Sequence, residues 1–284
     1  MTSSLRGLLS WLGAAMLLGG CATATPSPSG SAAPTARPIP SATSAEPIRQ
    51  DRLNISFTSR DGLSSRYHAY PADAPEPAGL LLWLHGDGAW EFEHPDDPYV
   101  MGGPDGVLAV GRAHGYVVVS ALAPDDRGTV TWWENGVANA DYLADLLDQL
   151  SDHYALDNSD IVLAGFSGGA QFITQYFLPE YSGRLAGGGS IVFGGGGAPV
   201  TPAQQPWNPD LPKSFFMHWA TGELDDAEHS EEGYEALGYA KAGEAFYADL
   251  GYPTSHEWID GRDHVIDGLF GGIVDRQLRR HGRR

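Results

Sequence analysis

Ser167 stands in "DIVLAGFSGGAQFITQYF", the stretch from Asp160 to Phe177. An apolar run climbs to the serine, glycines crowd around it, and a helical pattern follows at once. Gly165, Ser167 and Gly169 satisfy the spacing G-x-S-x-G. Between a strand and a helix, that spacing marks a sharp turn that lifts a hydroxyl clear of the backbone, where it can attack a carbonyl. Bulky side chains in place of Gly165 and Gly169 would collide with adjacent chain. The helix that follows aims its first amides at the same spot, where negative charge can develop. A glycine-rich turn with an incidental serine is the plainer alternative. The strand before it and the helix after it weigh against that.

A serine hydroxyl needs a base. Of ten histidines, His264 in "IDGRDHVIDG" is the best placed, in a loop after the last expected strand and before the last helix. His256 falls inside a strand pattern, and His281 falls in a frayed tail. His218 reads as a satisfied core residue of an apolar strand. His153 and His114 end helices, where a histidine serves the helix dipole. The imidazole needs a carboxylate to orient it and to stabilise its charged form. "ELDD" follows the apolar run "KSFFMHWATG", and either Asp225 or Asp226 fits that part; Glu223 sits too close to the strand end. The chain order is then Ser167, Asp225, His264.

"LWLHGDG" ends an early strand with a small loop. A main-chain N–H there, at Asp87 or alternatively Gly88, can join the N–H of Gly168 to hold an oxyanion. His85 has a structural part in that loop. Trp132 and Trp133 in "TVTWWENG" should reach the same edge, either as walls of an acyl or alcohol pocket or as packing beneath the loop. Trp90 is a weaker candidate of the same kind. "EFEHPDDP" lacks a regular ligand spacing, so it reads as a solvated loop with no metal.

The elements that must position these residues show in their periodicity. "LNISFTS" and "SSRYHAY", separated by "RDG", fit an antiparallel hairpin. "GLLLWLHG", "GYVVVSAL", "DIVLAGFS", "GGGSIVFGG" and "KSFFMHWATG" are apolar on successive residues, as parallel strands buried on both faces are; "TSHEWIDG" alternates more. Helical patterns lie between them. The clearest is "NADYLADLLDQLSDHYAL", with Leu143, Leu146, Leu147 and Leu150 on one side and aspartates on the other. Others are "GVLAVGRAHG", "AQFITQYFL", "SEEGYEALGYAKAGEAFYADLG" and "VIDGLFGGIVDRQLRR". The alternation predicts an α/β fold: a mostly parallel sheet with helices on both faces, opened by the hairpin, over residues 51–284.

The first fifty residues are of another kind. Arg6 and the apolar "GLLSWLGAAMLLGG" make a signal peptide over residues 1–20, too short for a membrane span. Leu18, two glycines and then Cys21, the only cysteine, resemble the bacterial lipobox, which implies a lipid on Cys21. Residues 21–50 are rich in Pro, Ser, Thr and Ala and predict a disordered tether. The expected location is therefore the extracytoplasmic face of a membrane, held by a lipid anchor. A lone cysteine leaves no internal disulfide, so an ordinary core must stabilise the domain. At 284 residues and 42% apolar composition, the chain is long enough to bury one. Thirty-six acidic against 17 basic residues give a formal charge of −19, which argues against a nucleic-acid partner.

Together, "LLLWLHGDG", "IVLAGFSGGA", "ATGELDD" and "GRDH" resemble the α/β-hydrolase superfamily, and within it the secreted polyhydroxybutyrate-depolymerase-like and feruloyl-esterase-like esterases. The resemblance spans roughly Gly79 to Arg280. It implies a Ser167, Asp225, His264 triad, acyl transfer from a small or oligomeric ester, and no cofactor. The chain departs from that group in its "HGDG" loop, in having no disulfide pair and in showing no separate substrate-binding domain. A serine peptidase or acyltransferase, or a catalytically silent ligand-binding lipoprotein, would share the same pattern.

Overall fold

Side chains alternate across a strand, so a strand apolar on every residue must feed two cores. In the computed structural model of the chain, strand β3 (Ala78–Leu84) does this. Leu80, Leu82 and Leu84 enter one core, while Leu81 and Trp83 enter the other. Strands β4 (Tyr116–Ala121), β5 (Leu156–Phe166), β6 (Gly188–Phe193) and β7 (Phe215–Gly222) divide in the same way. The described residues are 48–73, 78–124, 128–200, 203, 205–230 and 233–282. The signal peptide, Cys21 and nearly all of the expected tether lie outside them.

Eight strands form one sheet in the order β1-β2-β4-β3-β5-β6-β7-β8. Strands β1 (Arg52–Thr58) and β2 (Ser64–Tyr70) form the expected antiparallel hairpin, and β2 joins β4 antiparallel. From β4 to β8 (Thr254–Ile259) every pairing is parallel. Ile48, in the stretch expected to be tether, is buried in the same core as Phe57.

Among the described residues, chain order introduces seven α-helices. Helix α1 (Trp90–Glu93) is a single turn that periodicity did not foresee, and α2 (Val107–Ala113) and α3 (Gly136–His153) follow. Helix α4 (Gly168–Phe172) starts directly on the serine turn. It widens into a π-helical turn over Ile173–Phe177 and closes as α5 (Leu178–Tyr181). Pro179 stands in the first turn of α5, where it has no N–H to give the Gln175 carbonyl four residues back. One residue earlier, the Thr174 carbonyl accepts from the Tyr247 hydroxyl at 2.5 Å. That hydroxyl belongs to α6 (Ala236–Asp249), and α7 (Phe270–His281) ends the domain. Helices α3 and α6 pack in one core; α2 and α7 pack in the other, against each other and the sheet. Among the described residues no helix is long and apolar enough to cross a membrane.

Two neighbouring glycines of α7 test this packing. A methyl on Gly271 would stand 1.8 Å from the Asp105 carbonyl oxygen, and backbone cannot retreat cheaply. A methyl on Gly272 would meet nothing closer than the Arg276 side chain at 3.6 Å. Gly271→Ala should therefore destabilise the domain by about 1–3 kcal/mol. Gly272→Ala should stabilise it by roughly 0.5–1 kcal/mol through helix propensity. Urea denaturation of both variants checks the pair; equal shifts would contradict the close approach of α7 to the start of α2.

Candidate active site

Strand β5 runs straight into Ser167, which adopts φ 50° and ψ −114°. A residue with a Cβ enters this region only under constraint. The Ser167 N–H donates to the Phe193 carbonyl at 2.9 Å, and its own carbonyl accepts from Gln171 N–H at 3.0 Å. The glycines on either side are required by contact. A methyl on Gly169 would lie 2.3 Å from the Leu84 carbonyl oxygen, and one on Gly165 would lie 2.8 Å from the Gly169 carbonyl carbon.

Ser167, His264 and Asp225 meet in one hydrogen-bonded chain. The Ser167 hydroxyl is 2.9 Å from His264 Nε2, and His264 Nδ1 is 2.8 Å from Asp225 Oδ2. A carboxylate only accepts, so Nδ1 carries the proton and Nε2 is left as the acceptor for the serine O–H. The Asp225 side chain is 2% exposed and His264 is 34% exposed, so the carboxylate is buried and the imidazole reaches solvent. The imidazole lies between the Phe166 and Tyr234 rings, 4.9 and 5.9 Å away between centroids. The choice between two neighbouring aspartates is made by direction. Asp226 turns outward, where its Oδ1 meets the His229 ring at 2.7 Å and the backbone of Glu228 and His229.

The "HGDG" loop closes over the start of α4. Gly88 N–H is committed to the Val130 carbonyl at 3.0 Å, which leaves Asp87 as the loop's candidate main-chain donor beside Gly168. Gly168 opens α4, where the first amides have no partner within the helix. His85 is fully buried and has the expected structural part. Ala123 N–H donates to its Nε2 at 3.0 Å, so its Nδ1 holds the proton and donates to the Gly86 carbonyl at 2.7 Å. Burial pulls its pKa down to about 4.

Burial sorts one acid and the tryptophans of this region. Glu91 is not solvated: it is 3% exposed and accepts the Gly86 N–H on both oxygens at 3.2 Å. Burial raises its pKa. The sequence signal was an acid three residues from a glycine loop, which reads the same for a solvated turn. Trp132 does not wall a pocket. It is 0% exposed in the core, with ring centroids 5.6 Å from His85 and 5.1 Å from Phe172, so it is packing under the loop. Trp133 is 39% exposed and its indole N–H donates to Asp87 at 3.0 Å, beside the serine turn. Trp90 is exposed and stacks on His94.

A second brace was not legible beforehand. Gln171, in α4, accepts from Gly196 and Gly197 N–H at 3.2 and 2.8 Å and donates to the Tyr234 hydroxyl at 2.7 Å. It ties the glycine loop after β6 to the ring that packs edge-on against His264. The other histidines are engaged elsewhere: His114 with Asp275, His153 with the Gln149 carbonyl, and His256 with Glu244. His218 is buried, with Nδ1 2.9 Å from Ser255 and Nε2 3.6 Å from Glu257. His281 is not in a frayed tail but stacks on Phe216 at 4.4 Å, because α7 continues to it. Among the described residues no group of three His, Cys, Asp or Glu side chains gathers as a metal ion would need.

No family model and no curated protein sequence matches the chain. Solved structures do. The carboxylesterase of Bacillus cereus is 16% identical with a TM-score of 0.55, over 76% of this chain and 92% of that one. An S-formylglutathione hydrolase from Agrobacterium tumefaciens is 16% identical with a TM-score of 0.52, over 80% and 92%. The acylaminoacyl peptidase of Pyrococcus horikoshii is 14% identical with a TM-score of 0.54, over 82% of this chain and 42% of that one. At such identities the likeness shows the fold: this chain has the α/β-hydrolase fold.

Burial of His85 makes the loop sensitive to acid. Its folded pKa, about 4, lies below the ordinary 6.5, so between those values the folded state binds fewer protons than the unfolded one. The contribution is complete above about pH 6.5 and is lost as pH falls toward 4. His218, also held near 4 by burial, adds to the same slope. Glu91 acts with the opposite sign, because a raised carboxyl pKa favours the folded state on the acid side. Melting temperature should therefore fall from pH 7 to pH 4, and His85→Gln should flatten that fall even though it lowers the starting value. Parallel curves for the two proteins would remove His85 from this account.

Proposed function

We propose that this chain is a serine hydrolase of carboxylic esters, held by a lipid on Cys21 at the extracytoplasmic face of a membrane. The observation that carries the catalytic reading is the unbroken chain from the Ser167 hydroxyl through His264 to Asp225, on a strained turn at the head of a helix. His264 Nε2 takes the hydroxyl proton as Oγ attacks the ester carbonyl. The Asp225 carboxylate stabilises the imidazolium that forms. Gly168 and Asp87 N–H groups receive the tetrahedral oxyanion. Collapse expels the alcohol, which leaves with the proton from His264. Water, deprotonated by the same nitrogen, then attacks the acyl-serine, and the acid departs while Ser167 recovers its proton. No step calls on a cofactor.

The substrate side of the reading is coarser. Trp133, half-exposed beside the serine turn, is the candidate wall for an acyl or alcohol group. The esterases among the fold's relatives support ester chemistry, and the polyhydroxybutyrate-depolymerase-like and feruloyl-esterase-like branch supplies the first substrates to try. The fold is shared with a peptidase, so amides are the second class to assay. The N-terminal pattern, apolar segment then "LGGC", supports the anchor. The partners of this reading are an ester and a membrane, with no nucleic acid.

A fluorophosphonate probe should label the native protein and fail on Ser167→Ala. Asp225→Asn should retain the fold and lower kcat on p-nitrophenyl acetate by about 10³- to 10⁴-fold. No labelling of the native protein, or hydrolysis of peptide amides with none of esters, would overturn the ester hydrolase. In a cell that processes lipoproteins, Cys21→Ser should move the protein from the membrane to the soluble fraction and abolish incorporation of labelled fatty acid. Unchanged partition would overturn the anchor.

A further inference from the structure

The spacing G-x-S-x-G leaves its second position open, and here Phe166 fills it. Its ring is 8% exposed and packs on the imidazole of His264. The centroids are 4.9 Å apart and the planes are 33° apart. Two rings so close and so nearly parallel cannot lie side by side, so the imidazole rests over the Phe166 face. The ring is locked in this attitude. A methyl on Gly86 would stand 3.0 Å from Phe166 Cδ1. A methyl on Gly194 would stand 3.0 Å from both Phe166 Cε2 and His264 Cε1, so the two rings meet only because a glycine lies beside them. Phe270 and Tyr99 brace Phe166 with planes 84° from its own, at 5.4 and 6.5 Å.

The face of an aromatic ring is its negative side, and it attracts a cation within about 6 Å of the centroid. His264 becomes a cation when its Nε2, 2.9 Å from the Ser167 hydroxyl, takes the serine proton. The Phe166 face then holds an imidazolium where it had held a neutral ring. An attraction that grows toward the transition state lowers the barrier. Asp225 acts on the same charge from the imidazole edge, through Nδ1. Phe166 acts on it from the face.

We propose that Phe166 is a positioning residue with an electrostatic part: its π face stabilises the His264 imidazolium that forms as Ser167 attacks. The proposal rests on the hydrolase reading above and gives that site a second support for its base. The ionisable groups about the imidazole are Asp225, at 2.8 Å, and the Tyr234 phenol, whose pKa burial pushes up. Asp263, next in the chain, accepts the Val265 N–H at 2.9 Å. A change confined to the Phe166 ring leaves all three in place.

Phenylalanine fluorinated stepwise, from 4-fluoro through 3,5-difluoro to 3,4,5-trifluoro, weakens the negative potential of the face while nearly keeping its shape. Each is incorporated at position 166, and kcat/KM on p-nitrophenyl acetate is followed across pH. Two trends are expected. On the plateau above the acid limb, kcat/KM should fall with fluorine number, to about threefold to tenfold below native in the trifluoro protein. The acid limb should move to lower pH, by about 0.3–1 unit, because a less stabilised imidazolium gives up its proton sooner. The curves therefore converge at acid pH. A plain loss of packing would lower every curve without moving its limb. Phe166→Leu, apolar but without a π face, should repeat both trends. A plateau that does not fall with fluorine number, or a limb that does not move, would overturn the role of the π face and leave the hydrolase reading standing. Absence of Ser167-dependent turnover in the native protein would overturn both.

Discussion

Ser167 holds φ 50° and ψ −114°, a conformation that costs of order 1–3 kcal/mol and survives only where its surroundings over-determine it. Here the constraint is backbone on three sides. Strand β6 takes the Ser167 N–H through the Phe193 carbonyl, α4 takes its carbonyl through Gln171, and the end of β3 presses on Gly169. None of these contacts can relax without moving a central strand. The central strands cannot move cheaply, because β3, β5 and β6 carry apolar side chains into both cores at once. Close-packed interiors transmit such a constraint. The stability of the sheet is thus what keeps the hydroxyl raised.

Parallel strands bring their carboxyl ends to one edge, so residues far apart in the chain gather there. Ser167 follows β5, Asp225 follows β7 and His264 follows β8; the loop after β3 adds Asp87. Loops at such an edge need their own supports, and this protein supplies buried polar ones. His85 links the β3 loop to the backbone at Ala123, Glu91 grips Gly86, and Gln171 binds the glycine run after β6. Each is a polar group satisfied mainly by backbone, which fixes a loop without requiring a matching side chain opposite.

What the sequence made legible follows from this division. The eight strands and the longer helices were readable because burial on both faces, or on one face, imprints a period on the residues themselves. The serine turn was readable because its contacts demand glycine. Supports made to backbone leave no such imprint. Glu91 sits in "EFEHPDDP" among acids that do face solvent, and nothing in the string separates it from Glu93, which pairs with Arg66 on the surface. Trp132 and Trp133 are adjacent and identical in type, yet one is core and the other half-exposed. That difference is set by which way a loop turns, and a loop carries no period. The same holds for Asp225 and Asp226, which only three-dimensional direction tells apart.

Three carboxyl groups stand within this one edge, and their surroundings give them different physics. Asp225 is buried against an imidazole, where an unpaired charge would be costly and a paired one orients its partner. Glu91 is buried against the Gly86 N–H, in an environment that resists its charge and makes it a brace. Asp87 is exposed and accepts the Trp133 indole N–H beside the serine turn. The first two positions are constrained by the fold, since each satisfies a group the fold has already buried. The third is fixed from the loop side, by the Trp133 indole N–H.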